Sequence, residues 1–254
     1  MTIFDLTGRT ALVTGSSRGI GRGLATALAE AGARVVVHGR TPETARSTAR
    51  EIAEATGATT LGLAFDVTDE GQVGAGIAEL EERWGTPDIL VNNAGMQKRA
   101  PIHEFSVADW EQLLATNLTS AFLISRAVAP GMTARGSGKI ISIGSVQSRL
   151  ARPGIAPYCA TKGGVVMLSQ GLCADLSPHG VQVNAIAPGY FATELTRPLV
   201  EDEEFSAWVT SRTPAGRWGQ LEDLSGAVVF LASSASDFIT GQTLYVDGGM
   251  TSVV

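Results

Sequence analysis

Thr14-Gly15-Ser16-Ser17-Arg18-Gly19-Ile20-Gly21 follows a short apolar run, residues 10–14, and leads into an apolar-faced segment of helical period, residues 20–31. Glycines punctuate a strand-to-helix turn. A turn this tight needs positive φ, and its backbone can approach a pyrophosphate only where no Cβ intrudes. The amides opening the next helix then face the anion, and the helix dipole adds to the attraction. The spacing Gly15, Gly19, Gly21 departs from the common G-x-G-x-x-G. On composition alone the stretch also reads as a flexible connection. Its place between the first strand and the first helix favours the nucleotide reading.

The next apolar run, residues 34–38, ends at His38-Gly39-Arg40. Where NAD is preferred, an acidic residue here binds the adenosine ribose hydroxyl. No Asp or Glu occupies 37–40; Arg40 stands there, and Arg18 lies in the glycine turn. Two guanidinium groups suit a 2′-phosphate, which a carboxylate would repel. The expected cofactor is therefore NADP(H). The bland reading makes both arginines solvated surface charges.

Outward from this turn, short apolar runs at 61–65, 89–91, 139–143, 181–186 and 243–246 alternate with helical segments at 42–56, 70–84, 106–133, 156–176 and 222–233. Gly71, Gly74 and Gly76 weaken the 70–84 helix. Continuous apolar strands alternating with helices specify a parallel sheet covered on both faces. The expected fold is α/β, one Rossmann-type doubly wound domain over residues 1–254. Residues 193–218, rich in charge and aromatics, form an irregular or helical segment expected to cover the substrate.

Composition removes other classes. The chain is 254 residues long, 44% hydrophobic and 17% charged, enough to bury a core without disulfides. A net charge of -6 with no block of Lys or Arg argues against nucleic-acid or membrane surfaces. Cys159 and Cys173 make no disulfide framework, and His38, His103 and His179 are too scattered for a metal site. The N-terminal stretch lacks a signal-peptide pattern and no apolar run spans a bilayer, so the expected compartment is the cytoplasm.

Tyr158 and Lys162, four apart at the start of a predicted helix, share one face. Ser145 follows the fifth strand at the carboxyl edge, where open parallel sheets bind ligands. A free phenol ionises near ~10, and an adjacent ammonium is expected to lower that value. A serine hydroxyl there can stabilise a developing alkoxide. Alone, Y-x-x-x-K is weak; with the serine and the glycine turn it marks a proton-transfer group.

Thr14-Gly15-x-x-x-Gly19-x-Gly21, Asp66-Val67, Asn92-Asn93-Ala94-Gly95, Asn117, Ser145, Tyr158-x-x-x-Lys162 and Pro188-Gly189 occur in this order across essentially the whole chain. The set resembles the short-chain dehydrogenase/reductase family. The resemblance implies a seven-stranded sheet, Tyr158 as general acid and base, and Lys162 lowering its pKa while binding the nicotinamide ribose. Ser145 would orient the substrate oxygen, and Asn117 would hold a water linking Lys162 to solvent. Gly15, Ser17, Arg18, Gly19, Ile20, Gly21 and Arg40 would bind the phosphates. Asp66 and Val67 would border the adenine; Asn93, Ala94 and Gly95 the middle of the cofactor; Ile186, Pro188, Gly189 and Thr193 its nicotinamide end. Gly144 stands where the family often has a second, non-catalytic serine. Cys159 reads as a packed small residue. A homotetramer is also implied, with the apolar C-terminal end, 244–254, against a neighbouring subunit.

Within that family the resemblance is nearer to the gluconate 5-dehydrogenases than to the family at large. It rests on residues 92–99, 146–148, 187–194 and 200–219, with Phe205-Ser206-Ala207-Trp208 and Arg217-Trp218-Gly219. Gln97 and Gln147 can pair hydroxyls; Arg99, Lys98 and Arg149 can face a carboxylate, or can be solvated loop charges. The implied reaction is D-gluconate to 5-keto-D-gluconate and back, on a small polyol or keto acid. The alternatives are reduction of a 3-oxoacyl thioester or another polar ketone, and a non-catalytic dinucleotide sensor.

Overall fold

The structure, a computed structural model, describes residues 3–194 and 196–253. Met1, Thr2, Leu195 of the expected covering segment and Val254 of the apolar C-terminal end lie outside the described residues. Strands β1 (Thr10–Val13), β2 (Arg34–Gly39), β3 (Thr60–Ala64), β4 (Ile89–Asn92), β5 (Gly138–Ile143), β6 (Val181–Pro188) and β7 (Thr243–Val246) form one seven-stranded sheet. Its order is β3-β2-β1-β4-β5-β6-β7, and every neighbouring pair is parallel. The winding reverses between β1 and β4. The loops after these two strands diverge, which opens a crevice at the carboxyl edge.

The helices are α1 (Gly19–Glu30), α2 (Pro42–Thr56), α3 (Glu70–Trp84), α4 (Val107–Leu114), α5 (Ser120–Arg135), α6 (Ala156–Leu176), α7 (Arg197–Val200), α8 (Glu203–Arg212) and α9 (Ser225–Ala232). Alternation along the strands builds two cores. Ala11, Val13, Val35, Val37 and Val91 pack with α1, α2 and α9. Leu12, Val36, Leu90 and Ile140 pack with α3, α5 and α6. Leu28 of α1 is fully buried in the first core, so truncating it to Ala would cost about 2–5 kcal/mol.

The 70–84 helix is as expected from the sequence, and the 106–133 helix is not. The glycines of α3 do not break it, and Gly76 is required there: a Cβ would lie 2.3 Å from the Phe65 ring. The expected 106–133 helix is interrupted. Ala115–Thr119 winds as a π-helical turn between α4 and α5, with Ser120 N–H bonding to the Ala115 carbonyl. Such an extra residue re-aims side chains within a helix, and here it carries Asn117.

Candidate active site

The 14–21 turn is braced from three strands. Gly15 and Gly19 take positive φ, 62° and 54°. Asn93 Nδ2 donates to the carbonyls of Thr14 (2.8 Å) and Gly15 (3.1 Å). Thr14 Oγ1 accepts from the amides of Asn93 and Ala94, both at 3.0 Å. Gly21 is tightly enclosed, since a Cβ would stand 2.4 Å from the Gly15 carbonyl oxygen; around Gly19 nothing lies within 4 Å.

The start of α1 is made differently from its neighbours. Thr41 caps α2 and Asp69 caps α3 by accepting first-turn amides, each followed by an acidic residue. The cap of α1, Arg18, offers no side-chain bond, and its first turn holds no acid. Its amides keep their donors and the positive end of the helix dipole for an anion. Arg18 and Arg40 are exposed at the same edge and pair with no carboxylate among the described residues. Ser17 gives its carbonyl to Thr48 Oγ1 at 3.2 Å. Asp66 turns one carboxylate oxygen to the amide and hydroxyl of Thr68, while Val67 is buried.

His38 was not singled out by its sequence context. Its Nδ1 accepts the Gly15 amide at 3.0 Å and its Nε2 meets the Phe65 carbonyl at 3.0 Å. Burial lowers its pKa to about 4, despite the Phe65 carbonyl and Asp66 acting the other way. The ring is therefore neutral near pH 7, donating from Nε2 and accepting at Nδ1. It ties the glycine turn to the ends of β2 and β3.

Past the β5 edge, Ser145 sits in extended backbone and opens the 3-10 turn Val146–Ser148. Its Oγ donates to Gln147 Oε1 at 2.7 Å and accepts the Gln147 amide at 3.2 Å. Ser148 Oγ bridges this turn to α6, donating to the Lys162 carbonyl at 2.9 Å. Tyr158 and Lys162 share the first turns of α6 as the spacing predicts. Lys162 Nζ stands 5.8 Å from the Tyr158 ring centre and donates to the Ile143 carbonyl at 2.7 Å. Burial raises the Tyr158 phenol to about 12, which the Ser145 hydroxyl and Arg99 partly oppose, and lowers Lys162 to about 8. The expected depression of the phenol by the ammonium is thus corrected. In this structure burial dominates, and the Lys162 ammonium, over the ring and bonded to main chain, is not among the charges that act on the phenol.

Asn117 is buried behind this pair. Its Oδ1 accepts the Met96 amide (2.8 Å), and its Nδ2 donates to the Met96 carbonyl (2.9 Å) and Thr161 Oγ1 (3.1 Å). A Cβ on Gly95 would lie 3.4 Å from Asn117 Oδ1 and 3.8 Å from Lys162 Nζ, so the 93–95 turn, the π turn and α6 converge. Pro188 ends β6 beside Ile186, and Gly189 donates to the Val246 carbonyl at 2.9 Å. Thr193 bonds Thr196, amide to hydroxyl, at 2.8 Å.

The loops expected around the substrate separate into contributors and bystanders. Gln147 Nε2 donates to the Tyr190 hydroxyl at 3.4 Å. Gln97 is exposed and accepts from Arg99 at 3.3 Å. Lys98 is committed to Asp109 and Arg149 is exposed. The 193–218 segment forms α7 and α8 and seats an aromatic wall. Tyr190 lies 5.8 Å from each of Phe205, Trp208 and Trp218, centre to centre. Trp218 Nε1 donates to Ser206 Oγ at 2.9 Å, and Arg217 pairs with Asp223. Tyr190, within the 187–194 segment, and Arg152, unmarked by any sequence motif, join this wall; the Arg152 guanidinium lies 5.1 Å over the Phe205 ring. Cys159 packs as expected, its thiol 3.8 Å from the Leu150 carbonyl and its pKa raised by burial.

Among the described residues no three His, Cys, Asp or Glu side chains converge as metal ligands, and no helix is long and apolar enough to cross a membrane. A family profile described as enoyl-(acyl carrier protein) reductase matches residues 15–251. The gluconate 5-dehydrogenase of Gluconobacter oxydans (strain 621H) is 55% identical over 249 residues, 98% of this chain and 97% of that protein. The 5-keto-D-gluconate 5-reductase of Escherichia coli (strain K12) is 47% identical over 248 residues, 98% of this chain and 97% of that one. A crystal structure of a gluconate 5-dehydrogenase from Burkholderia cenocepacia J2315, in complex with NADP and tartrate, superposes with a TM-score of 0.96 at 56% identity, covering 99% of this chain and 98% of that one.

Proposed function

Since the chain belongs to the short-chain dehydrogenase/reductase family, we propose that it interconverts D-gluconate and 5-keto-D-gluconate with NADP(H). The observation that carries the reading is the meeting of Ser145, Tyr158 and Lys162 beside Gln147, with Arg99 bonded to Gln97 and, among the described residues, paired with no carboxylate. A hydroxylated anion needs hydrogen-bonding groups and a cation in the site; the acyl chain of a 3-oxoacyl thioester has no carboxylate to meet that cation. The relatives named above act on gluconate or its 5-keto form, and the one solved with NADP also holds tartrate, a hydroxy acid.

The cofactor fits this chain's own residues. The uncapped α1 amides and the open space at Gly19 suit the pyrophosphate, with Gly15, Ser17, Ile20 and Gly21 shaping the turn. Arg18 and Arg40 suit the 2′-phosphate. Asp66 and Val67 border the adenine; Asn93, Ala94 and Gly95 line the middle; Lys162, Pro188, Gly189 and Thr193 flank the nicotinamide end. When bound, NADP(H) supplies or accepts the hydride at the carbinol carbon.

In oxidation the Tyr158 phenolate takes the proton of the substrate alcohol and becomes the phenol; in reduction the phenol gives that proton to the carbonyl oxygen and becomes the phenolate. Ser145 turns its hydroxyl from Gln147 to the reacting oxygen and stabilises the charge that develops there. Lys162 holds its ammonium on the Tyr158 side and supports the phenolate. Both Asn117 amide hydrogens are committed. A water relay at Asn117 would then rest on the main-chain groups of the π turn. Gln97, Gln147 and Arg99 meet the polyol acid, and residues 193–218 cover it.

Residues 1–254 act as one catalytic unit, assembled as a homotetramer. Trp110 of α4, Phe122 of α5 and Met167 of α6 are exposed apolar side chains that a second copy would cover. The two free cysteines suit the reducing cytoplasm. Following NADPH absorbance with 5-keto-D-gluconate, D-gluconate with NADP+, and an acetoacetyl thioester tests the reading. Absence of NADPH oxidation with 5-keto-D-gluconate ends it.

A further inference from the structure

Arg152 lies in the loop leading into α6. Its guanidinium carbon stands 5.1 Å over the Phe205 ring, and its Nε is buried with no hydrogen-bond partner. Among the described residues it makes no ion pair. A guanidinium is a planar fork of donors that keeps its charge in a protein. A buried donor without an acceptor is costly. The Nε is enclosed by protein, but no other nitrogen of the fork donates a hydrogen bond among the described residues, so those donors are left for a ligand.

The neighbours show where the ligand would sit. Phe205 lies 5.8 Å from the Tyr190 ring, whose hydroxyl accepts from Gln147 at 3.4 Å. Gln147 in turn accepts from Ser145 Oγ at 2.7 Å. This line of contacts runs from Arg152 to the group that meets the reacting oxygen. Arg99 is exposed and donates to Gln97 at 3.3 Å, and it feels Arg152: burial first, and then the Arg152 charge, push its guanidinium below the usual range. Two cations held close without a carboxylate partner form a site for an anion.

We infer that Arg152 and Arg99 together clamp the carboxylate of the substrate, with Arg152 deciding for an acid over a neutral polyol. The inference rests on the gluconate reading above. Phe205 belongs to α8, so a carboxylate held by Arg152 also steadies the covering segment through the cation–π contact.

The test compares D-gluconate with D-sorbitol, the same carbon chain with a neutral end, for wild type, Arg152→Gln and Arg152→Lys. Arg152→Gln is expected to raise the gluconate KM about ten- to a hundredfold. Its kcat changes little, because a contact remote from the reacting carbon is equal in ground and transition states. Sorbitol kinetics and NADPH binding stay near wild type. Arg152→Lys restores part of the loss, keeping the charge without the fork, and serves as the second variant if Arg152→Gln folds poorly. An unchanged gluconate KM, or equal losses with both substrates, overturns the clamp; the second result makes Arg152 only a prop for α8. Calorimetric titration of gluconate into the NADP-saturated protein reads the site without turnover. Binding weakened by Arg152→Gln supports the clamp even if 5-keto-D-gluconate is not reduced, an outcome that would end the gluconate reading alone. Equal binding by the variant, or none by wild type, overturns the clamp.

Discussion

Replacing Gly21 and Gly19 separately by Ala divides the glycine turn into a packing requirement and a ligand requirement. At Gly21 a Cβ would stand 2.4 Å from the Gly15 carbonyl oxygen and 2.3 Å from Asn93 Nδ2. Neither is a floppy chain end: Asn93 Nδ2 is bonded to the carbonyls of Thr14 and Gly15. The carbonyl must retreat by roughly 1 Å to reach ordinary contact. Overpacking costs about 1–3 kcal/mol, and two lost hydrogen bonds add about 1 kcal/mol each. A total of about 3–5 kcal/mol lowers the melting temperature by roughly 10 °C in a chain of this size. At Gly19 a Cβ meets nothing within 4 Å, and only the positive φ of 54° resists it. That strain is about 1 kcal/mol, or a fall of about 2–4 °C. NADPH affinity should nevertheless fall at least about tenfold in Gly19→Ala, because the methyl occupies the pyrophosphate approach. Thermal unfolding and NADPH fluorescence titration measure both quantities. Wild-type NADPH affinity in Gly19→Ala refutes the cradle, and an unchanged melting temperature in Gly21→Ala refutes the packing argument.

Tyr158→Phe should lower kcat by about 10²–10⁴ in both directions while NADPH binding is kept, checked by initial rates and fluorescence; substantial turnover would remove Tyr158 from proton transfer. Arg40→Asp should shift the kcat/KM ratio toward NAD at least about tenfold, read from parallel assays with the two cofactors. With the phenol at about 12, gluconate oxidation, which needs the deprotonated form, should keep rising with pH through 10. Ketone reduction needs the protonated form and should not gain over that range; an oxidation plateau beginning below pH 8 would show that the Lys162 charge outweighs burial. His38 holds a folded pKa of about 4 against an ordinary 6.5, so the unfolded chain binds its proton first as pH falls. Stability is therefore full above pH 6.5 and drops by about 3 kcal/mol toward pH 4. Denaturant unfolding at stepped pH should show that drop, and His38→Gln should flatten it.

Periodicity and spacing alone made most of the frame legible. Strands such as β2, with alternate valines in opposite cores, announce themselves because every second side chain needs a partner layer. Tyr158 and Lys162 were paired by helical geometry, and Gly15, Gly19 and Gly21 by the backbone they permit. These are local relations, carried by a few bonds of chain. The glycines of α3 weakened an expectation that the structure bears out, because propensity is local, whereas the need for Gly76 comes from Phe65, just past β3. The interruption at 115–119 was also hidden, since its residues keep helical composition while their bonding shifts.

What belongs to sequence alone is the doubly wound α/β class, the phosphate turn and the types of group at the chemistry. What tertiary structure decided is where distant groups meet. It set His38 against Gly15 and bound Asn117 to Met96 and Thr161. It tied Lys98, left open between a carboxylate partner and a solvated charge, to Asp109, and set Arg152 on Phe205. It also set the proton affinities of Tyr158 and Lys162, because burial depends on the atoms that exclude water around a group, and those come from segments far apart in the chain.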